Sequence, residues 1–116
     1  MLTIREEQVR ALAAVMRRRF VERMERHLRS SNPQVALSRP DLIALIERSI
    51  ERAAAFGVIA ETHVERFLEY VMTYGEDFGT VAETEWAGAI LRTPNVGANW
   101  KLNRIDEAEP FANADH

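Results

Sequence analysis

The sequence predicts an all-α protein, a compact antiparallel bundle of three main helices followed by one or two short C-terminal helices. Apolar residues recur at steps of three and four along most of the chain, which is the spacing of one helix face. These segments are bounded by residues that commonly start or end helices. No segment alternates apolar and polar residues in the manner of a strand, so we expect no β-structure.

The first predicted helix begins after Thr3 and runs to about Arg29. Thr3 and Glu6 have the spacing of a capping box, in which each side chain accepts a hydrogen bond from the other residue's backbone N–H. Apolar residues follow at helical spacing: Val9, Leu12, Ala13, Met16, Phe20, Met24 and Leu28. Pro33 lies just beyond the helix and favours its termination, because proline cannot continue a helix and restricts the residue before it.

Two further helices are expected in the middle of the chain. Ser38 is a candidate N-cap for the second, with apolar residues from 42 to 54, and Gly57 supplies the left-handed residue that commonly ends a helix. Thr62 and Glu65 repeat the capping-box spacing and predict the start of the third, which Gly75 ends.

The C-terminal part is predicted as a turn followed by two short helices. Phe78 lies in the turn and is expected to plug the core. Helices are expected over about 83–92 and 98–108, the second with Trp100, Leu102 and Ile105 facing inward. We therefore expect a single helical domain over 1–108. The polar stretch 109–116 is expected to be a flexible tail.

Length and composition narrow the possible classes of protein. A chain of 116 residues has room for one domain. It contains no cysteine, which excludes disulfides, thiolate metal sites and a cysteine nucleophile. No apolar run is long enough to cross a bilayer, and the N-terminus lacks the pattern of a secretory signal. We therefore expect a cytoplasmic protein.

Charge is distributed unevenly along the chain. Residues 1–30 carry a net charge of +4, whereas the remaining residues carry −7. Three arginines of the first helix share one face and form a candidate basic ridge: Arg19, Arg23 and Arg26. Three glutamates of the third helix are spaced by four and form a candidate acidic ridge: Glu61, Glu65 and Glu69. These charges suit either solvated faces or a surface that docks another protein.

No motif points to catalysis, to a metal or to a cofactor. The three histidines form no pair at metal-ligand spacing, and the sequence contains neither a nucleophile elbow nor a phosphate-binding loop. We therefore expect no enzyme, no cofactor and no metal. A helix-turn-helix around Gly57 would present Glu65 and Glu69 to DNA, which is electrostatically unfavourable, so nucleic acid is not an expected partner.

The two tryptophans are the remaining candidates. Trp86 and Trp100 are either core residues or anchors of a protein interface, since large aromatic side chains are common in both settings. Solvent exposure distinguishes the two possibilities. The candidate interface therefore consists of the basic ridge, the acidic ridge and these two residues.

The chain resembles a family of small, all-helical, uncharacterised bacterial proteins encoded beside type VI secretion effectors and their spike or PAAR-type proteins. The resemblance covers about residues 4–92. The shared positions include Ile4-Arg5, Arg19-Phe20, His27-Leu28, Ile50-Glu51-Arg52-Ala53, Phe56-Gly57-Val58, Tyr74-Gly75, Asp77-Phe78 and Trp86-Ala87. It implies an accessory role in secretion, as an adaptor or co-chaperone that binds an effector or its loading partner, and it brings no catalytic residues.

Three roles follow as hypotheses. The first is an adaptor that binds an effector, a chaperone or another protein through one of the charged ridges. The second is an immunity protein whose acidic residues neutralise a cognate toxin. The third is a structural domain that forms homo-oligomers through an apolar helix face.

Overall fold

The computed structural model describes residues 3–112, and over this range the protein is all-α, as the sequence predicts. A short 3-10 turn at Ala82–Thr84 precedes the fifth of the six helices that this range contains. The helices are α1 (Ile4–Ser31), α2 (Pro33–Leu37), α3 (Leu42–Ala55), α4 (Glu61–Tyr74), α5 (Glu85–Leu91) and α6 (Ala98–Ala112). No helix of this range is long and apolar enough to cross a membrane.

The described residues fall into two compact units, and the boundary lies within α3. The first unit ends at Ile46 and contains α1 and α2, which contact each other. The second begins at Glu47 and contains α4, α5 and α6, with α6 packed against both α4 and α5. The single domain expected over 1–108 stays a prediction.

The start of α1 and the end of α3 form as the sequence predicts. The Thr3 hydroxyl accepts a hydrogen bond from the Glu6 N–H at 3.2 Å, and the Thr3 N–H donates to the Glu6 carboxylate at 3.3 Å. At the other site, Gly57 has φ +79°, and the Val58 N–H donates to the Ala53 carbonyl at 2.9 Å. The two signals are local, so near neighbours in sequence are enough to satisfy them.

Two predicted caps are wrong. The Ser38 hydroxyl donates to the Val35 carbonyl at 2.6 Å and so belongs to the end of α2, a helix that Pro33 starts and that the sequence does not predict. Thr62 does not begin α4, which starts at Glu61 after Ala60 and has no side-chain cap. In both cases a residue type common at N-caps lies near a helix start, but the helix begins at a different residue.

The C-terminal helices also differ from the prediction. The helix expected over 83–92 divides into the 3-10 turn and α5. The last helix continues through Pro110 to Ala112, four residues beyond the end expected at 108. The flexible tail expected over 109–116 stays a prediction, and 113–116 lie outside the described residues. Phe78 is fully buried, as predicted, whereas Trp100 is 45% exposed and does not face inward.

Aromatic rings make up a large part of the core of the second unit. The Phe78 ring contacts the rings of Phe67, Tyr70 and Tyr74, with centroid distances of 5.2–5.9 Å. The Arg52 guanidinium lies 6.0 Å from the centroid of the Phe67 ring and donates to the Phe78 carbonyl at 2.6 Å. Arg52 therefore ties α3 to the turn that follows α4.

Glycine permits a close backbone approach beside this core. A Cβ atom on Gly88 of α5 would lie 2.1 Å from the carbonyl oxygen of Gly79, closer than any real contact. Gly79 itself has φ +87°, and its N–H donates to the buried Thr84 hydroxyl at 2.9 Å. The turn can pack on α5 only because Gly88 has no side chain.

Candidate functional site

The N-terminal half of α1 carries large apolar side chains that no part of the described chain covers. Val9, Leu12 and Met16 are 61%, 60% and 53% exposed, respectively. We call these three residues the apolar patch. Single exposed apolar residues are ordinary on a protein surface, but several on one stretch of helix commonly mark an interaction site.

The basic ridge continues this patch along the same side of α1. Arg19, Arg23 and Arg26 are all exposed, and they follow Met16 at steps of three, four and three residues. Together with Arg5 and the apolar patch they form one line with alternating steps of four and three, the spacing of a coiled-coil seam. We call this line the α1 stripe: Arg5, Val9, Leu12, Met16, Arg19, Arg23 and Arg26.

The stripe is a different face from the one that α1 buries. The buried side chains of α1 are Phe20, Val21, Met24 and Leu28. With about 100° of rotation per residue, their mean direction and that of the stripe differ by about 120°. The C-terminal half of the helix therefore buries one face and exposes the basic ridge on another, whereas residues 3–19 are exposed on every face except at Val15.

The sequence predicts that the apolar residues of α1 form one buried face, but in the structure some of them are buried and others are exposed. Met24 and Leu28 are buried, whereas Leu12 and Met16 are exposed. The spacing of three and four fits either assignment, because the four-residue steps from Met16 to Leu28 each add about 40° of rotation and carry the apolar series from one face to the other. A signal for the second face is present in the sequence, since the same steps continue from Met16 into the basic ridge.

The acidic ridge of α4 is only partly exposed. Glu61 is exposed, while Glu65 and Glu69 are half-buried. Arg66, which lies between them in sequence, binds the Asp106 carboxylate at 2.7 Å and the Asn103 side chain at 3.0 Å, both on α6. The three glutamates share a helix face, as predicted, and their role as an interface stays a prediction.

A surface depression of about 350 Å³ lies between α4 and α6. Its lining residues include three carboxylates and one guanidinium: Arg66, Glu69, Tyr70, Thr73, Asp106 and Glu109. The Tyr74 hydroxyl donates to the Glu109 carboxylate beside it. The excess of carboxylates suits a basic side chain from a partner.

The two tryptophans lie in different surroundings. The Trp86 ring is half-buried and packs edge-on against the Tyr74 ring, with centroids 6.1 Å apart, at the border of the aromatic core. Trp100 is exposed on α6 and lines a shallow depression with Asn103 and Glu107. Exposure therefore favours a structural role for Trp86 and leaves Trp100 as a possible contact residue.

Sequence reasoning missed the role of the single lysine. Lys101 is 9% exposed, and its ammonium group donates to the Phe56 carbonyl at 2.7 Å, just beyond the end of α3. A cation is favourable there because the carbonyl end of a helix carries partial negative charge. Lys101 and Phe56 also line a groove of about 530 Å³.

Within residues 3–112 no cluster of three or more histidine or carboxylate side chains has the geometry to hold a metal ion. One buried hydroxyl of this range, the Ser49 Oγ, has no hydrogen-bond partner.

No family model matches the sequence, and no curated protein or solved structure matches it significantly.

Proposed function

We propose that this protein is a non-catalytic protein-binding module that acts as an accessory adaptor. The observation that carries the proposal is the apolar patch on α1, whose three large side chains are each more than half exposed. Covering such side chains removes apolar surface from water, which favours association with a partner. The secretion context, with an effector or its loading partner as the client, comes from the resemblance in sequence.

The proposal is tested by capture of the client from cells. The tagged protein is used to capture the product of an adjacent gene, and the L12Q/M16Q variant is compared with the wild type. We expect the variant to lose the client, because both substitutions place amides in the contact. Unchanged capture would contradict the proposal.

A matched control separates binding from folding. Gln34 and Ser30 are exposed polar residues of the same unit, and the S30A/Q34A variant should capture the client as the wild type does. Circular dichroism and thermal unfolding of L12Q/M16Q should match the wild type, since substitutions at exposed positions usually change stability by less than about 0.5 kcal/mol.

Toxin neutralisation is the second candidate, and the depression between α4 and α6 favours it. Its carboxylates, Glu69, Asp106 and Glu109, suit a basic loop of a toxin. Co-expression with the adjacent toxin should then protect cells, and a charge reversal at Glu69 should reduce protection. Protection that survives this reversal would contradict the role of the depression.

A further inference from the structure

We propose that the α1 stripe binds an acidic amphipathic helix of the partner. This inference rests on the proposed function and assigns the chemistry of the occupant. The stripe extends over about three heptads, or roughly 30 Å of helix. All of its residues are exposed, so a partner helix can lie along its full length without rearrangement of α1.

The order of side chains along the stripe fixes the chemistry of the occupant. Arg5 begins the stripe, the apolar patch follows it, and the basic ridge occupies the C-terminal part. A complementary helix therefore has apolar residues at its seam positions opposite Val9, Leu12 and Met16. It has Asp or Glu at the seam positions opposite the ridge, where arginine forms bidentate pairs with carboxylates.

Charge argues against a second copy of this chain as the occupant. In a parallel pair the two basic ridges would lie directly opposite each other. In an antiparallel pair centred on the apolar patch, Arg19 of one copy would lie beside Arg5 of the other. Like charges opposite each other destabilise helix pairs, so both arrangements are unfavourable.

Nucleic acid fits the stripe less well than an acidic helix does. Phosphates would pair with the arginines of the ridge but would leave the apolar patch in water. An acidic amphipathic helix covers both parts at once. The patch and the ridge together therefore select a protein partner.

The test uses a synthetic helical peptide of about four heptads. Its seam positions carry leucine in one half and glutamate in the other, and a second peptide has lysine in place of each glutamate. Binding to the full-length protein is measured by fluorescence anisotropy at low and high salt. We expect the acidic peptide to bind, more weakly at high salt, and the basic peptide to bind at least about tenfold more weakly.

Two charge-reversed variants locate the contact. In R19E/R23E/R26E we expect the affinity for the acidic peptide to fall by about tenfold or more. The matched control is R10E/R17E/R18E, which makes the same change in charge at exposed arginines of α1 outside the stripe. We expect the control to change affinity by less than about threefold, because its effect is limited to screened long-range attraction.

Several results would overturn the inference. Equal weakening in both variants would mean that overall charge, not the stripe, binds the peptide. A wild-type dimer in sedimentation that L12Q/M16Q dissociates would assign the patch to a second copy. A short DNA duplex that binds the ridge as tightly as the acidic peptide would assign it to nucleic acid.

The inference and the proposed function fail in different ways. If the natural client needs Leu12 and Met16 but the acidic peptide does not bind, the chemistry of the occupant is wrong and the proposed function stands. If capture of the client does not depend on Leu12 and Met16, the proposed function itself is wrong.

Discussion

At the scale of single residues, Gly88 is the glycine at which a side chain has the least room. A Cβ atom there would lie 2.1 Å from the Gly79 carbonyl oxygen and 2.9 Å from the Arg92 guanidinium. The arginine side chain can move aside, but the backbone carbonyl can move only if the turn shifts. Side-chain volume at position 88 therefore competes directly with the packing of the turn on α5.

We expect G88A to lower the free energy of unfolding by about 3 kcal/mol, because overpacking forces the turn away from α5. Urea denaturation followed by circular dichroism measures the change. The matched control is G97A, since a Cβ atom on Gly97 has no neighbour within 4 Å, and it should stay within about 1 kcal/mol of the wild type. Equal stability of the two variants would contradict the close approach.

Ser49 is a buried polar residue whose side chain has no hydrogen bond. It is fully buried on α3, and its hydroxyl has no hydrogen-bond partner. Burying a hydroxyl without a partner is unfavourable, since the group loses its hydrogen bonds to water.

We expect S49A to raise the free energy of unfolding by about 1 kcal/mol, from the removed hydroxyl and the better helix propensity of alanine. S30A is the comparison, because Ser30 is an exposed residue of α1 and reports propensity alone. Thermal unfolding of the two variants measures the difference. A loss of stability in S49A would indicate that the hydroxyl has a partner in solution.

At the scale of elements, Arg52 and Arg48 illustrate how differently two arginines of one helix contribute. Both lie on α3 and both contact Glu76, Arg48 through the carboxylate and Arg52 through the backbone carbonyl. Arg52 is half-buried and also donates to the Phe78 carbonyl, whereas Arg48 is exposed. An ion pair in water adds little to stability, whereas removal of a half-buried guanidinium that donates to two backbone carbonyls is more costly.

We expect R52Q to lower the free energy of unfolding by about 2 kcal/mol and R48Q by less than about 1 kcal/mol. Near-ultraviolet circular dichroism should also change in R52Q, because Phe78 and the adjacent tyrosines lie beside the turn that Arg52 holds. Similar losses in the two variants would contradict the larger contribution that we assign to the contacts of Arg52 with the two carbonyls.

At the scale of the whole molecule, the first part of α1 buries little of its surface against the rest of the described chain. All residues from Thr3 to Arg19 are exposed except Val15, which is half-buried. This segment also lies within the net-positive residues 1–30. A helix end with few buried contacts is expected to add little to global stability.

We therefore expect the free energy of unfolding of a chain that begins at Val15 to lie within about 1 kcal/mol of that of the full-length protein. The difference arises from the lost cap at Thr3. Far-ultraviolet circular dichroism should show less helix, and capture of the client should be lost because Val9 and Leu12 of the apolar patch are removed. Urea denaturation measures the stability. Loss of folding in the shortened chain would show that the N-terminal half of α1 has a structural role.

The sequence by itself determined the all-α class, most of the helices, the capping box at Thr3 and the end of α3 at Gly57. These features depend on neighbours within a few residues, and the chain carries that information locally. The basic ridge also follows from sequence, because spacing alone places Arg19, Arg23 and Arg26 on one face.

Only the tertiary structure decided which face of α1 is buried, where Lys101 binds and why Gly88 is a glycine. The spacing of apolar residues reports that a helix has an apolar side, but not how much of that side the rest of the chain covers. Lys101 binds the carbonyl of Phe56, and Gly88 approaches Gly79. Such contacts join residues that are distant in sequence, so they exist only once the helices have packed.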